Sequence, residues 1–367
     1  RGLGDVYKRQ GMFNGLLSST SSQVNKISSD VSLLQISYVY WYDYRKNLVL
    51  DLPLDTMYFN GTYNITPDTS GYGNNGIVYN ATLVPGILGN AMYFNGDNSW
   101  IDIGNSPLFN FVSGNFTILA WINTNSSFFD NEIVAKGASC SVGGYKLVTD
   151  DGYLRGSFNN QSANPYYQIV SAQAIDDGKW HFVGFEVQNL DSPDTYSYLY
   201  IDGEMAPIMY GYISSGMSVG NGPFSTVGWN TSTPDDLGVG SSDKIDPNTC
   251  NLYFDGLIEG VRIYNAALPL DIIQNLFYRI QLFIYNPSNY PINLNGTIFQ
   301  IGDCTFPLIY NQTFITSTGS PIILPGQQIT LKVSFIECNH LDRDTTYRIC
   351  LYNRGESVCS SLYIPPS

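Results

Sequence analysis

The chain has 367 residues, 43% of them hydrophobic and only 13% charged, with 28 tyrosines and a net charge of −14. The hydrophobic content suffices for packed cores and excludes a disordered polymer, and the acidic balance excludes nucleic acid, which demands a Lys/Arg footprint. No run of about eighteen apolar residues occurs, so no segment of the given sequence reads as a membrane-spanning helix.

Residues 1–10, Arg1 to Gln10, hold three of the 17 basic residues. They resemble the translation of a sequencing adapter and are set apart from the fold. On that reading the true amino terminus, with any signal peptide or anchor, lies upstream. Next, Phe13, Leu17, Thr20, Val24, Ile27 and Val31 recur at steps of three and four. This period predicts a short N-terminal helix over 11–32. From Leu34 the period drops to two, predicting a strand within 33–45 whose apolar face is Leu34, Ile36, Tyr38 and Tyr40.

The body, 46–279, reads as short alternating strands bounded by Gly and Asp. In the loop Asp68 to Gly76, Asp68 and Ser70 can satisfy turn amides, and Gly71, Gly73 and Gly76 permit positive φ. Phe116, Ile118, Ala120 and Ile122 share one face of a central strand. Leu199 and Ile201 lead into Asp202-Gly203, a hairpin signal. The stretch 205–250, rich in Gly and Ser, reads as a long loop, and Leu268 to Phe277 as a short helix with Pro in its first turn. Beyond it, 280–285 and 329–333 alternate again.

Six cysteines, Cys140, Cys250, Cys304, Cys338, Cys350 and Cys359, lack a C-x-x-C metal spacing. A two-residue turn at Arg354-Gly355 would set Cys350 directly opposite Cys359, close enough to bridge. Nine Asn-x-Ser/Thr sequons lie at Asn60, Asn64, Asn80, Asn115, Asn125, Asn160, Asn230, Asn295 and Asn311. Disulfides and glycosylation together predict an extracellular or cell-surface location.

Three further motifs carry a resemblance: Gly178-Lys179-Trp180-His181-Phe182-Val183, Tyr200-Ile201-Asp202-Gly203 and Phe254 through Asn265. With the Asp68 loop and Gly89-Asn90-Ala91-Met92-Tyr93-Phe94, they resemble the LamG-like, concanavalin A-like jellyroll. The helix-to-strand passage before Tyr42, the turn Asn286-Pro287-Ser288-Asn289-Tyr290-Pro291 and Leu324-Pro325-Gly326 are similar to archaeal type IV pilin-like proteins. The resemblances imply an all-β chain: a jellyroll over 46–279 inserted into a small Ig-like or pilin-like sandwich, built from 33–45 and 280–367. They also imply surface adhesion or spacing, with membrane attachment only through the missing N-terminal segment.

Catalysis finds no support. The Glu-x-Asp-x-x-Glu strand of β-glucan-cutting enzymes is missing. Gly216-Met217-Ser218-Val219-Gly220 matches G-x-S-x-G without strand–turn–helix context. His181 belongs to the Trp-His strand of the resemblance and reads as structural. Calcium is the one cofactor to consider, at Asp68, Asn74 and Glu259, the last brought near by the family fold. The other reading has Asp68 capping its turn and Glu259 facing an Arg or solvent. For cell-surface glycans or proteins as partners, Trp229, Tyr210 and Tyr212 are the candidate platform. A carbohydrate-binding or glycan-degrading secreted protein is the alternative reading.

Overall fold

The computed structural model describes residues 30–137, 143–160, 166–213, 217–218, 221–227, 229–241, 252–338 and 340–366. The expectations for 1–10, for the helix before residue 30, for Cys140 and Cys250, and for Gly216, Val219 and Gly220 lie outside these residues. The chain divides into two compact units, Arg45–Ile273 and the chain up to Tyr44 with Gln274–Pro366.

In the second of these units, Asp30 caps a 3₁₀ turn at Val31–Leu33, its Oδ1 accepting from Ser32 N at 3.0 Å. Gln35–Trp41 pairs antiparallel with Ile280–Tyr285, and that strand pairs with Gln328–Val333. The predicted face of the first strand needs correcting. A bulge between Ile36 and Tyr38 shifts the register, and a one-residue shift exchanges the faces. Val39 is therefore buried, while Tyr38 stacks on Phe283 at 4.0 Å on the other side. A second sheet carries Thr345–Asn353 against Glu356–Ile364. Their turn uses Arg354 and Gly355 at φ 52° and 87°, so Cys350 faces Cys359 and the two form a disulfide with Cα atoms 4.1 Å apart. Cys304 and Cys338 form another across 5.6 Å. Two disulfides point to maturation in an oxidising, extracytoplasmic compartment.

Arg45–Ile273 is a two-sheet sandwich, with eleven strands in one sheet and eight in the other among the described residues. Gly114–Asn123 is central in the smaller sheet, between Trp180–Leu190 and Asp255–Tyr264. Its Phe116, Ile118, Ala120 and Ile122 are fully buried against Leu147, Leu154, Phe158 and Ile169 of the larger sheet's strands. Asp202 and Gly203, at φ 54° and 80°, close the hairpin into Glu204–Met205. Leu270–Phe277 is the one α-helix among the described residues.

Two further corrections concern backbone. Gly76 has no positive φ; an added Cβ would lie 2.4 Å from Ile101 Cγ2, so the glycine serves close packing there. The stretch read as a long loop contains Ile208–Ile213, an outer strand, and Leu237–Val239, which pairs with both Asn131–Lys136 and Trp100–Gly104. Its Gly-rich composition hid strands whose pairing partners are remote.

Candidate functional site

The larger sheet's outer face is assembled by register. Residues directly opposite in antiparallel strands point to the same side. Tyr210 faces Val170, Val170 faces Arg155, Arg155 faces Val148 and Val148 faces Glu132, one row across five strands. Tyr212, Gln168, Ser157 and Lys146 form the next row. Leu147, Leu154 and Ile169, at the alternate positions, turn into the core.

Charges are concentrated here. Arg155 pairs with Asp150 at 2.7 Å and with Asp130, and Lys146 reaches Asp130 at 3.0 Å and Glu132 at 3.6 Å. Phe129 lies over the Arg155 guanidinium, 5.5 Å from ring centroid to Cζ. Burial lowers Arg155 to about 10, opposed by the nearby Tyr210 and Tyr166 hydroxyls. Burial likewise lowers Lys146 and raises Asp150. Tyr166 packs on Tyr212 with centroids 5.7 Å apart. Phe128 and Phe129 are each about two-thirds exposed, and Tyr210 is 42% exposed. Exposed aromatic rings beside buried charges are uncommon on an inert surface, because burying a ring is worth roughly 1.5–3 kcal/mol.

Of the three residues expected as a platform, Tyr210 and Tyr212 share this face. Trp229 does not join them, because its ring meets Phe158 edge-on at 5.7 Å, on the core side. Lys136 fixes the backbone that follows Trp229. It is fully buried, with Nζ donating to Asn105 Oδ1 at 2.8 Å and to the Asp235 carbonyl at 2.6 Å, and burial lowers its pKa to about 8. Arg155, Asp130, Asp150 and Tyr166 escaped the sequence reading. Their signal, a buried charge opposite an aromatic, needs the cross-strand register to be seen.

The Asp68 and Glu259 carboxylates are both engaged, whereas Asn74 contributes only its backbone amide, its buried side-chain Nδ2 hydrogen-bonding to no described residue. The Asp68 carboxylate accepts from the amides of Asp51, Ser70 and Asn74 at 2.9–3.0 Å and from the Ser70 hydroxyl at 2.8 Å. Glu259, 2% exposed, accepts from Ile87 N at 2.9 Å and Leu88 N at 3.1 Å. Each carboxylate is thus held by its own set of backbone amides. Among the described residues no three His, Cys, Asp or Glu side chains group as a metal site.

His181 is a strap between loops. Its Nδ1 lies 2.9 Å from Asp202 Oδ2 and its Nε2 3.2 Å from Asp177 Oδ1. Burial pulls its pKa down, but the two carboxylates outweigh burial and the net shift is upward. A raised folded-state value means the imidazolium stabilises fully below the ordinary histidine value of about 6.5, and that this is lost as pH rises through the raised value. His181→Asn should therefore cost more stability at about pH 6 than at about pH 8. Thermal melting of both proteins at both pH values checks this; an equal loss at the two would contradict it.

Comparison with known proteins agrees with this architecture. Residues 95–274 match the model of the concanavalin A-like lectin/glucanases superfamily, and the two-sheet, all-β build of Arg45–Ile273 is consistent with a jellyroll sandwich. No curated protein matches. Similar solved structures include domain 4 of AbnA, a GH43 extracellular arabinanase from Geobacillus stearothermophilus, in complex with arabinotriose. It is 20% identical with a TM-score of 0.43, covering 63% of this chain and 98% of that one. The binding domain of Paraclostridial Mosquitocidal Protein 1 is 15% identical with a TM-score of 0.46, covering 84% and 76%. The receptor binding domain of botulinum neurotoxin D is 16% identical with a TM-score of 0.40, covering 86% and 75%. Likenesses at this level carry no argument about this chain's ligand.

Proposed function

We propose that this is a non-enzymatic extracellular recognition protein whose jellyroll binds cell-surface glycans on the outer face around Tyr210, Tyr212 and Arg155. The supporting observation is the row that sets an exposed tyrosine strand beside a buried, hydrogen-bonding charge network. Sugar rings present apolar faces to aromatic rings and hydroxyls to charged groups, and this face offers both. Binding is favoured over hydrolysis because the carboxylates here are engaged by Lys146 and Arg155. On a glycan array, the full chain should bind a subset of glycans and Tyr210→Ala/Tyr212→Ala should lose them. Retention by a folded double variant would contradict the reading.

On this reading a pilin-like or membrane-anchored stalk presents the protein. An upstream coding sequence with a basic-Gly cleavage site and about twenty apolar residues would support that. A secretory signal alone would contradict it. Glycosylation is proposed for the exposed sequons, such as Asn60, Asn125 and Asn311. Asn160, 6% exposed and accepting from Asn230 N at 3.2 Å, is the exception. Calcium at Asp68, Asn74 and Glu259 is a separate proposal, in which the ion competes with the four donors on Asp68. A melting midpoint that rises with added calcium supports it. An unchanged midpoint in calcium and in chelator assigns the loop to its own hydrogen bonds.

A further inference from the structure

The larger sheet ends in a small hairpin. Tyr58–Phe59 is its outermost strand and pairs with Asn64–Thr66, which pairs in turn with Gly76–Tyr79. Asn60 closes the turn, its N–H donating to Tyr63 O at 3.0 Å and its Oδ1 accepting from the Thr62 and Tyr63 amides at 2.9 Å. Register sets Phe59 opposite Asn64, Asn64 opposite Val78 and Val78 opposite Ile101, so the four side chains share one side of the sheet. Exposure rises outward along that row. Ile101 and Val78 belong to the core, Asn64 is exposed, and Phe59 is 65% exposed. The hairpin therefore overhangs the core and leaves a bare ring on the side that is packed further in.

Asn64 is also the acceptor of the sequon Asn64-Ile65-Thr66. Cross-strand Cβ atoms lie about 4.5–5.5 Å apart, so a sugar joined to the Asn64 amide starts beside the Phe59 ring. Its C–H face covers the aromatic while its hydroxyls stay in water. Other sequon asparagines already serve the protein: Asn60 Oδ1 holds its turn, and Asn80 Nδ2 donates to Asn98 O at 3.0 Å. The Asn64 side chain hydrogen-bonds to no described residue. Thr66 fixes the timing. It is fully buried with its hydroxyl enclosed, so the sequon is accessible only before the strands close.

We infer that Asn64 carries an N-linked glycan whose first sugar packs on Phe59 and caps the open edge of the larger sheet. This rests on the glycosylation reading above and gives one site a structural role. The bond forms as Asn64 Nδ2 attacks C1 of a lipid-linked oligosaccharide. The C1–O bond to the lipid phosphate breaks, Nδ2 gives up one proton, and the lipid phosphate leaves. A bare edge strand offers unpaired backbone to other chains, and a solvated sugar beside it blocks that approach.

The test expresses the full chain in a host that glycosylates Asn-x-Ser/Thr, with Asn64→Gln, Phe59→Ala and the double variant beside it. Peptide mass spectrometry reads occupancy at each sequon, and hydrogen exchange reads the amides of 58–66. Asn64 should be occupied, and its glycan should slow exchange there by about threefold or more relative to Asn64→Gln. In Phe59→Ala the site should stay occupied, while the slowing relative to the double variant disappears. Should Phe59→Ala fail to fold, ring-current shifts of the first sugar's protons report the contact in the unaltered chain. Sugar at other sequons with Asn64 bare would overturn this inference alone. Equal slowing with and without the Phe59 ring, or unshifted sugar protons, would overturn the packing. No sugar at any sequon would overturn the glycosylation reading with it.

Discussion

Asp51→Ala should lower the stability of the jellyroll by about 3–5 kcal/mol, the usual result of removing one member of a buried ion pair. Asp51 is 2% exposed, and its Oδ1 accepts from Arg262 Nε at 3.0 Å in the core of the register that pairs Leu48–Leu52 with Asp255–Tyr264. Its other oxygen takes Thr69 Oγ1 at 3.0 Å, tying down the loop whose turn Asp68 organises. Without the carboxylate, the 7%-exposed Arg262 keeps a charge without that counter-ion. Arg45 also reaches Asp51 at 3.0 Å, but its side chain is 46% exposed and the solvent-screened pair is worth under about 1 kcal/mol. Arg45→Ala is thus the control. Denaturant melts should separate the two variants widely, and similar losses would show that the buried pair is not the anchor.

The second large effect is all-or-none. Replacing residues 46–273 with a short Gly/Ser linker should leave a folded protein that keeps its two disulfides. The ends to be joined already lie together, because Trp41 pairs with Ile280 and Tyr42 N donates to Arg279 O at 2.8 Å. Shortening the connection also lowers the loop-closure cost, by about 0.6 kcal/mol for each halving of length. Cooperative melting and an absence of titratable thiols are expected. A product that melts without cooperativity would show that Gln35–Trp41 cannot hold its place beside Ile280–Tyr285 alone.

What the sequence made legible followed from short-range periodicity. Alternation in Phe116, Ile118, Ala120 and Ile122 was enough to orient the central strand, because a strand buried on one face must repeat every second residue. The turn residues Asp202-Gly203 and Arg354-Gly355 were equally readable, since few residues tolerate positive φ. The bulge after Ile36 was not, and it moved Tyr38 and Tyr40 off the core face. Glu259 shows the limit for side chains. A glycine bulge at Gly260, φ 62°, alters the strand register beside it, and the Glu259 carboxylate meets the Ile87 and Leu88 amides. Those amides lie some 170 residues away in the chain. Trp229 was grouped with Tyr210 by nearness in sequence, yet successive strands and the core between them put the rings on different faces.

Recognition is assigned to one place, the outer face of the larger sheet. The most direct measurement is a crystal structure of the full chain with the oligosaccharide that the array selects. A sugar ring against Tyr210 and Tyr212, beside Arg155, is expected. Sugar seated instead against Trp229, or on the loop from Asp68 to Gly76, would contradict it.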